Sequence, residues 1–214
     1  MYFCLFLISN VTYDKDTLYR KKTSILSHTA YGAIVEKKAV CEGISNAFSH
    51  LAKQVGISAT VVNGFADGEE HAWNMIQIGQ DCYHIDVTWD IKNKRESTIK
   101  SYDYFCLCDD DLKFRNWDKK IYPRCISSKY NYFTVTRSFA HDKQQLRNII
   151  LKQFSTHKML YFKYDFLNMS NSDTVEYFWN ELLDVAKKND LRVGNVTVSL
   201  NEEQKIFLLY SKEG

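Results

Sequence analysis

The chain has 214 residues, of which 45% are hydrophobic and 14% aromatic, enough apolar side chain for the core of one large globular domain or two small ones. Its 28 Lys and Arg residues are interspersed with 26 Asp and Glu, and the formal net charge is only +2. That balance leaves no broad electrostatic footprint, so nucleic acid is not indicated as a partner.

Six cysteines (Cys4, Cys41, Cys82, Cys106, Cys108 and Cys125) in a chain of this length do not match the disulfide framework of a short secreted domain, and reduced thiols are the simpler reading. The apolar start, Met1 to Ile8, is too short to span a bilayer and lacks the basic leader and small-residue cleavage site of a signal peptide. As written, the chain reads as cytoplasmic with no membrane span. An upstream leader would make it extracellular.

In chain order, Tyr2 to Asn10 fits the last turns of a helix or a short strand, and Asp14 to His28 reads as charged surface with at most one helix. Tyr31 to Val35 leads into a polar turn, Glu36-Lys37-Lys38. The clearest helical pattern of the first half follows, with Ile44, Ala47, Phe48, Leu51, Ala52 and Val55 at steps of three and four and Gly56 as the stop. Cys41 opens that helix on its inward side. Exposed backbone N–H groups and the positive end of the macrodipole favour a thiolate there, and the same N–H groups suit an oxyanion forming on a substrate carbonyl. Gly43 is expected to let a substrate backbone approach, and Tyr31 is a second candidate for lining the site.

Ile57 to Phe65 reads as a strand, Ala66 to Glu70 as a loop, and His71 to Ile78 and Cys82 to Thr88 as two extended runs. Glycine leading a two-residue Gly79-Gln80 loop suits a type II′ hairpin turn. That register pairs Ile78 with Asp81 and sets Asp86 opposite Trp73. Asp86 is then the diagonal neighbour of His71, within about 7 to 8 Å by Cα and in reach of its imidazole. A one-residue slip would put the two on opposite faces. Cysteine, histidine and aspartate so arranged are the parts of a thiol acyl-transfer site. The same face permits a rival, zinc held by His71, Cys82, His84 and Asp86. A half-buried strand residue is the preferred account of His84. Trp73 and Trp89 flank the acid and base and read first as packing residues.

Ala30-Tyr31-Gly32-Ala33-Ile34-Val35, Ala39-Val40-Cys41-Glu42-Gly43, Gly56-Ile57, His71-Ala72-Trp73-Asn74 and His84-Ile85-Asp86-Val87-Thr88-Trp89-Asp90, in that order, resemble the bacterial transglutaminase-like core domain, a branch of the papain-like cysteine enzymes. The resemblance covers about residues 30 to 125. It implies Cys41 as nucleophile, His71 as its acid and base partner and Asp86 as the residue orienting His71, with no cofactor and no metal. Tyr31, Gly43, Trp73 and Trp89 become candidates for substrate or oxyanion contact.

Between Ile91 and Pro123 the chain is charged around an apolar island at Tyr102 to Cys108. Cys106-Leu107-Cys108 reads as alternating strand cysteines, and Asp109-Asp110-Asp111 as a solvated turn. Arg115 stands near a place where related bacterial proteins often carry a histidine. Past Pro123, Tyr130 to Arg137 reads as a strand, Asp142 to Thr156 as a helix, Met159 to Phe166 as a strand and Ser172 to Asn189 as a helix, before a closing hairpin at Leu191 to Leu200 and Lys205 to Tyr210.

The expected fold class is therefore α+β. A papain-like transglutaminase core, with the cysteine helix packed on an antiparallel sheet, occupies residues 1–127, and a βαβαββ accessory segment occupies 128–214. The expected function is cysteine-dependent acyl transfer or hydrolysis at amide bonds of a protein or peptide substrate. The alternative is a catalytically inactive papain-like module that binds peptides or a protein partner.

Overall fold

A computed structural model of the chain describes residues 1–19, 24–92 and 100–211. Sequence readings that fall on 20–23 and 93–99 lie outside the described residues. The chain folds as two compact units, Met1–Asn131 and Tyr132–Gly214.

The first unit runs α1 (Tyr2–Asn10), β1 (Thr12–Tyr13), α2 (Lys15–Tyr19), a 3-10 turn (Ile25–His28), α3 (Ala30–Ile34), β2 (Lys38–Ala39) and α4 (Cys41–Gln54). It continues with β3 (Ala59–Ala66), β4 (Glu69–Ile78), β5 (Asp81–Ile85), α5 (Val87–Lys92), β6 (Phe105–Leu107), a second 3-10 turn (Asp109–Asp111) and β7 (Arg115–Trp117). Five strands form one antiparallel sheet in the order β6-β5-β4-β3-β7, while β1 and β2 pair in parallel beside it.

Helix α4 buries most of the stripe its spacing predicts: Ile44, Ala47, Phe48 and Ala52 share one core with Cys4, Leu7 and Ile8 of α1 and with Ile76, Tyr83 and Ile85 of the sheet, whereas Val55 falls at the C-cap and is exposed. Gly56, at φ +76°, takes the left-handed conformation that ends the helix. Polar bonds fix where α4 sits on β4. The Ser45 hydroxyl donates to the Ala72 carbonyl at 3.0 Å, and the Asn74 amide donates to the Ser45 carbonyl at 3.0 Å and to Ser49 Oγ at 2.9 Å.

The hairpin between β4 and β5 has the register that a Gly79-Gln80 loop requires, with Ile78 opposite Asp81 and pairing continuing to Asn74 opposite Ile85. Gly79 has φ +63°, as the first position of a type II′ turn needs. Three expectations for this region change. The loop expected over Ala66 to Glu70 is only Asp67-Gly68, whose φ values of +53° and +83° make a tight turn and extend both strands. The run expected to Thr88 stops at Ile85, because Asp86 Oδ1 accepts the Trp89 N–H at 3.1 Å and so caps α5, overriding the strand preference of Val87 and Thr88. Cys108 lies outside β6, at the cap of the following turn.

The stretch expected as charged surface before residue 28 is not all surface. Asp14 is buried and accepts the hydroxyls of Thr17 and Ser27, each at 2.6 Å. Burial opposes its charge, but those bonds and Lys38 hold its carboxyl below the usual range. Gly43 also has another role than the one expected. It is buried, and a Cβ there would sit 2.3 Å from the Ser27 carbonyl oxygen and 3.0 Å from that of Thr29, so the glycine admits the protein's own backbone to α4.

The second unit runs α6 (Tyr132–Val135), β8 (Phe139–Ala140), α7 (Lys143–His157), β9 (Met159–Tyr164), α8 (Asn171–Lys188), β10 (Val196–Asn201) and β11 (Ile206–Ser211). Its sheet has the order β10-β11-β9-β8, with β8 parallel to β9 and the other pairs antiparallel. The expected βαβαββ succession is present, but Tyr130 to Arg137 is not its first strand. That stretch contains α6, which seats Phe133 edge-on against Tyr161 at 4.9 Å, and Arg137 at φ +56° turns the chain into β8. Tertiary burial of one ring outweighs the β-propensity of the segment. Helices α7 and α8 pack Leu146, Ile150, Phe154, Phe178 and Leu182 on Phe162, Phe207 and Leu209. No helix among the described residues is long and apolar enough to cross a membrane.

If Gly43 exists for the approach of Ser27 and Thr29, Gly43→Ala destabilises the first unit by about 1–3 kcal/mol, because backbone on both sides must move. Urea unfolding followed by tryptophan fluorescence measures this; an unchanged midpoint would count against the role assigned to Gly43.

Candidate active site

Cys41 is the first residue of α4, a helix of 14 residues, so its sulfur lies at the end where N–H groups lack intrahelical partners. It is half-buried at the floor of a cleft of about 620 Å³ that His71, Glu42, Glu70, Asn63 and Phe65 help to line. Burial pushes the thiol up. The His71 imidazole beside it and the backbone N–H groups of Ala72 and Glu42 more than offset this and bring it below the ordinary thiol value.

His71 is the third residue of β4, pairs with Gly64 of β3 and is buried. Its Nε2–H donates to Asp86 Oδ2 at 2.8 Å, leaving Nδ1 as the ring nitrogen for the thiol. Burial opposes the imidazolium, but the Asp86 carboxylate and the neighbouring sulfur outweigh it and push His71 up to about 9. Asp86 is 1% exposed. Burial would raise its carboxyl, yet His71, Arg115 and the Trp89 N–H hold it below the usual carboxylate range.

Of the other residues singled out from sequence, Trp73 and Trp89 are at the site and Tyr31 is not. Trp73 is buried and stacks on the His71 ring at 5.8 Å between centroids with 17° between planes. Its indole N–H donates to His84 Nδ1 at 3.0 Å, so it is not free for an oxyanion. Trp89 meets His71 edge-on at 6.4 Å and lines a second hollow, shared with Glu70 and His71. Tyr31 is 52% exposed and outside the cleft lining.

His84 is not the half-buried strand residue expected. It is fully buried, and with Trp73 N–H on its Nδ1, the proton sits on Nε2 and is donated to Asp109 Oδ1 at 3.0 Å. Burial lowers its pKa, in keeping with a neutral ring. Among the described residues the donor atoms that converge are those of His84, Asp109 and Cys125, within 4.8 Å of one another, rather than the four proposed for zinc. Because the Trp73 bond directs the Nε2 lone pair position to a proton, this cluster is a hydrogen-bonded strut behind Trp73 and fits a metal poorly.

Sequence reading missed three groups here: Asp109, Arg115, and the Ser45 and Asn74 pair. From sequence, Asp109 reads as part of a solvated turn, and Arg115 only as standing near a place where related bacterial proteins often carry a histidine, with no link to Asp86. The signal available for Ser45 was its place one turn after Cys41 on the face that packs inward.

Residues 1–89 match the family model of the transglutaminase-like superfamily, a span that contains Cys41, His71 and Asp86. A solved structure described as the crystal structure of a TGase is 22% identical over 44% of this chain and 26% of its own, with a TM-score of 0.38. The chain thus spans about a quarter of that protein's length. No curated protein matches the chain. The N-terminal part of the chain, where the family match lies, is thus similar to the transglutaminase-like superfamily.

The hydrogen bond to Asp86 predicts that His71 stays protonated to about pH 9. Heteronuclear NMR of the ring nitrogens should show this in the wild type, with Asp86→Asn dropping the titration to or below the free imidazole value of about 6.5. A wild-type His71 titrating at or below that value would overturn this account of the pair.

Proposed function

We propose that the first unit is a thiol enzyme acting at amide bonds of proteins or peptides through Cys41, His71 and Asp86. The observation that carries this reading is the contact of the Cys41 thiol with an imidazole whose other nitrogen is bonded to a buried carboxylate. Five other cysteines are pushed up by burial, while Cys41 alone is brought down.

In this mechanism the Cys41 thiolate attacks a carboxamide carbon, and the carbonyl electron pair moves to oxygen. In this reading the N–H groups of Glu42 and Ala72, which bond the sulfur, are the donors to that oxyanion. Collapse of the tetrahedral species breaks the C–N bond, and the His71 imidazolium gives its proton to the leaving amine. The thioester is then attacked by water or a second amine, whose proton His71 accepts, and Cys41 departs as thiolate. Asp86 fixes the His71 tautomer and stabilises the imidazolium throughout. Water as acceptor makes the protein a hydrolase or deamidase, and an amine makes it a transamidase.

Limiting iodoacetamide across about pH 5 to 9, followed by peptide mass mapping, tests the thiol. Cys41 should alkylate first and well below the ordinary thiol pKa of about 8.5, and His71→Ala should slow it at neutral pH by about tenfold or more. On a glutaminyl peptide, ammonia release with and without a fluorescent primary amine reads the two acceptors, and Cys41→Ala should reduce either by at least about a thousandfold. A Cys41 no faster than half-exposed Cys82 would sink the enzyme reading in favour of a binding module.

A further inference from the structure

Arg115 reaches the site from β7, an edge strand two ladders away from His71. Trp117 pairs with Gly64 and Gly64 with His71, so these three share one sheet face, and Arg115, two residues before Trp117, shares it too. The Arg115 side chain is 0% exposed. Its guanidinium lies over the Trp89 ring at 4.8 Å and the Tyr104 ring at 5.2 Å. Nη2 and Nε donate to Asp86 Oδ2 at 3.1 and 3.4 Å, the same oxygen that accepts from His71.

We propose that Arg115 is a positioning residue for the triad, which fixes the Asp86 carboxylate against His71 and supplies the positive charge that balances it. This rests on the thiol enzyme reading of Cys41, His71 and Asp86. With thiolate, imidazolium and carboxylate all present, the three carry one net negative charge. Arg115 makes the buried set neutral, so the thiolate forms without leaving an unmatched anion in the interior.

The other titratable groups facing this set do not replace it. Asp90 of α5 is buried, and that burial, with Asp103 beside it, pushes its carboxyl well above the usual range, so it supplies no positive charge. His84 of β5, flanked by Asp109 and Asp111, is held neutral by burial. Lys92 of α5 lies 5.3 Å from the Trp89 ring but is exposed, as are Glu42, bonded to His28, and Glu70 at the cleft rim.

The test is the pH dependence of Cys41 alkylation by iodoacetamide in the full chain, for wild type, Arg115→Gln and Arg115→Lys, with circular dichroism confirming the fold of each. Loss of the cation in Arg115→Gln should move the low-pH limb up by about one unit, roughly tenfold slower alkylation below it. Arg115→Lys keeps the charge and should hold the limb close to wild type, an outcome that a merely structural arginine does not produce against a shifted Gln variant. Should Gln unfold the unit, Arg115→Met, whose unbranched chain fits between the two rings, carries the same expectation as Gln. A folded Gln or Met variant with the wild-type limb overturns the role of Arg115 and leaves the triad standing. A wild type without a low-pH limb overturns the triad reading and this inference with it.

Discussion

An ionised carboxylate withdrawn from water costs several kcal/mol unless its oxygens are satisfied, and Asp86 is such a carboxylate. Its three sets of donors come from three places in the chain: His71 at the start of β4, the Trp89 N–H at the start of α5, and Arg115 on β7. Those donors can meet only if β5 ends at Ile85, if α5 starts at once, and if β7 joins the far edge of the sheet beyond β3. The carboxylate therefore constrains topology as well as chemistry. Buried ion pairs contribute little net stability compared with apolar packing, so its main effect is to specify one arrangement among several compact ones.

A second set of constraints fixes the sulfur relative to that arrangement. Ser45 and Asn74 strap α4 to β4, and Gly43 lets Ser27 and Thr29 backbone close over the first turn of the helix. Behind the imidazole, the Trp73 ring is held by a chain of bonds through His84 to Asp109, and Asp109 also accepts the Cys125 N–H at 3.1 Å. The Trp73 ring that stacks on His71 is thus held by residues behind it. Preorganisation of this kind reduces the reorganisation needed when charge develops at the site.

Which of these features the sequence disclosed depends on their range. The stripe of α4, its glycine stop and the Gly79-Gln80 register are written in neighbouring residues, and that register carries β5 as far as Ile85 opposite Asn74, one residue short of Asp86. Arg115 is 29 residues from Asp86 and Asp109 is 25 from His84, so in a linear reading neither partner is visible, and Asp109 passes as part of a solvated turn. The early end of β5 was missed for a related reason: Val87 and Thr88 have strand propensity, and only the cap supplied by Asp86 reverses it. In the second unit the same competition decided Tyr130 to Arg137, where burial of Phe133 against Tyr161 prevailed over local preference.

Burial explains why most thiols here are held above the ordinary value, and the charge around Cys41 why one is not. Cys4, Cys106 and Cys125 are withdrawn from water, and burial outweighs the pull of the N-terminal ammonium on Cys4 and Cys106, so the neutral thiol is favoured, with Cys106 pushed up to about 12. Cys41 is also partly withdrawn, and by that cause alone it too would rise. The low dielectric that penalises its charge also strengthens the attraction of the imidazolium and of N–H dipoles from Ala72 and Glu42. What separates Cys41 from the others is therefore the oriented charge around it, and that charge persists only while Asp86 stays ionised. The thiol at one end of the site and the carboxylate at the other are thus parts of one electrostatic system.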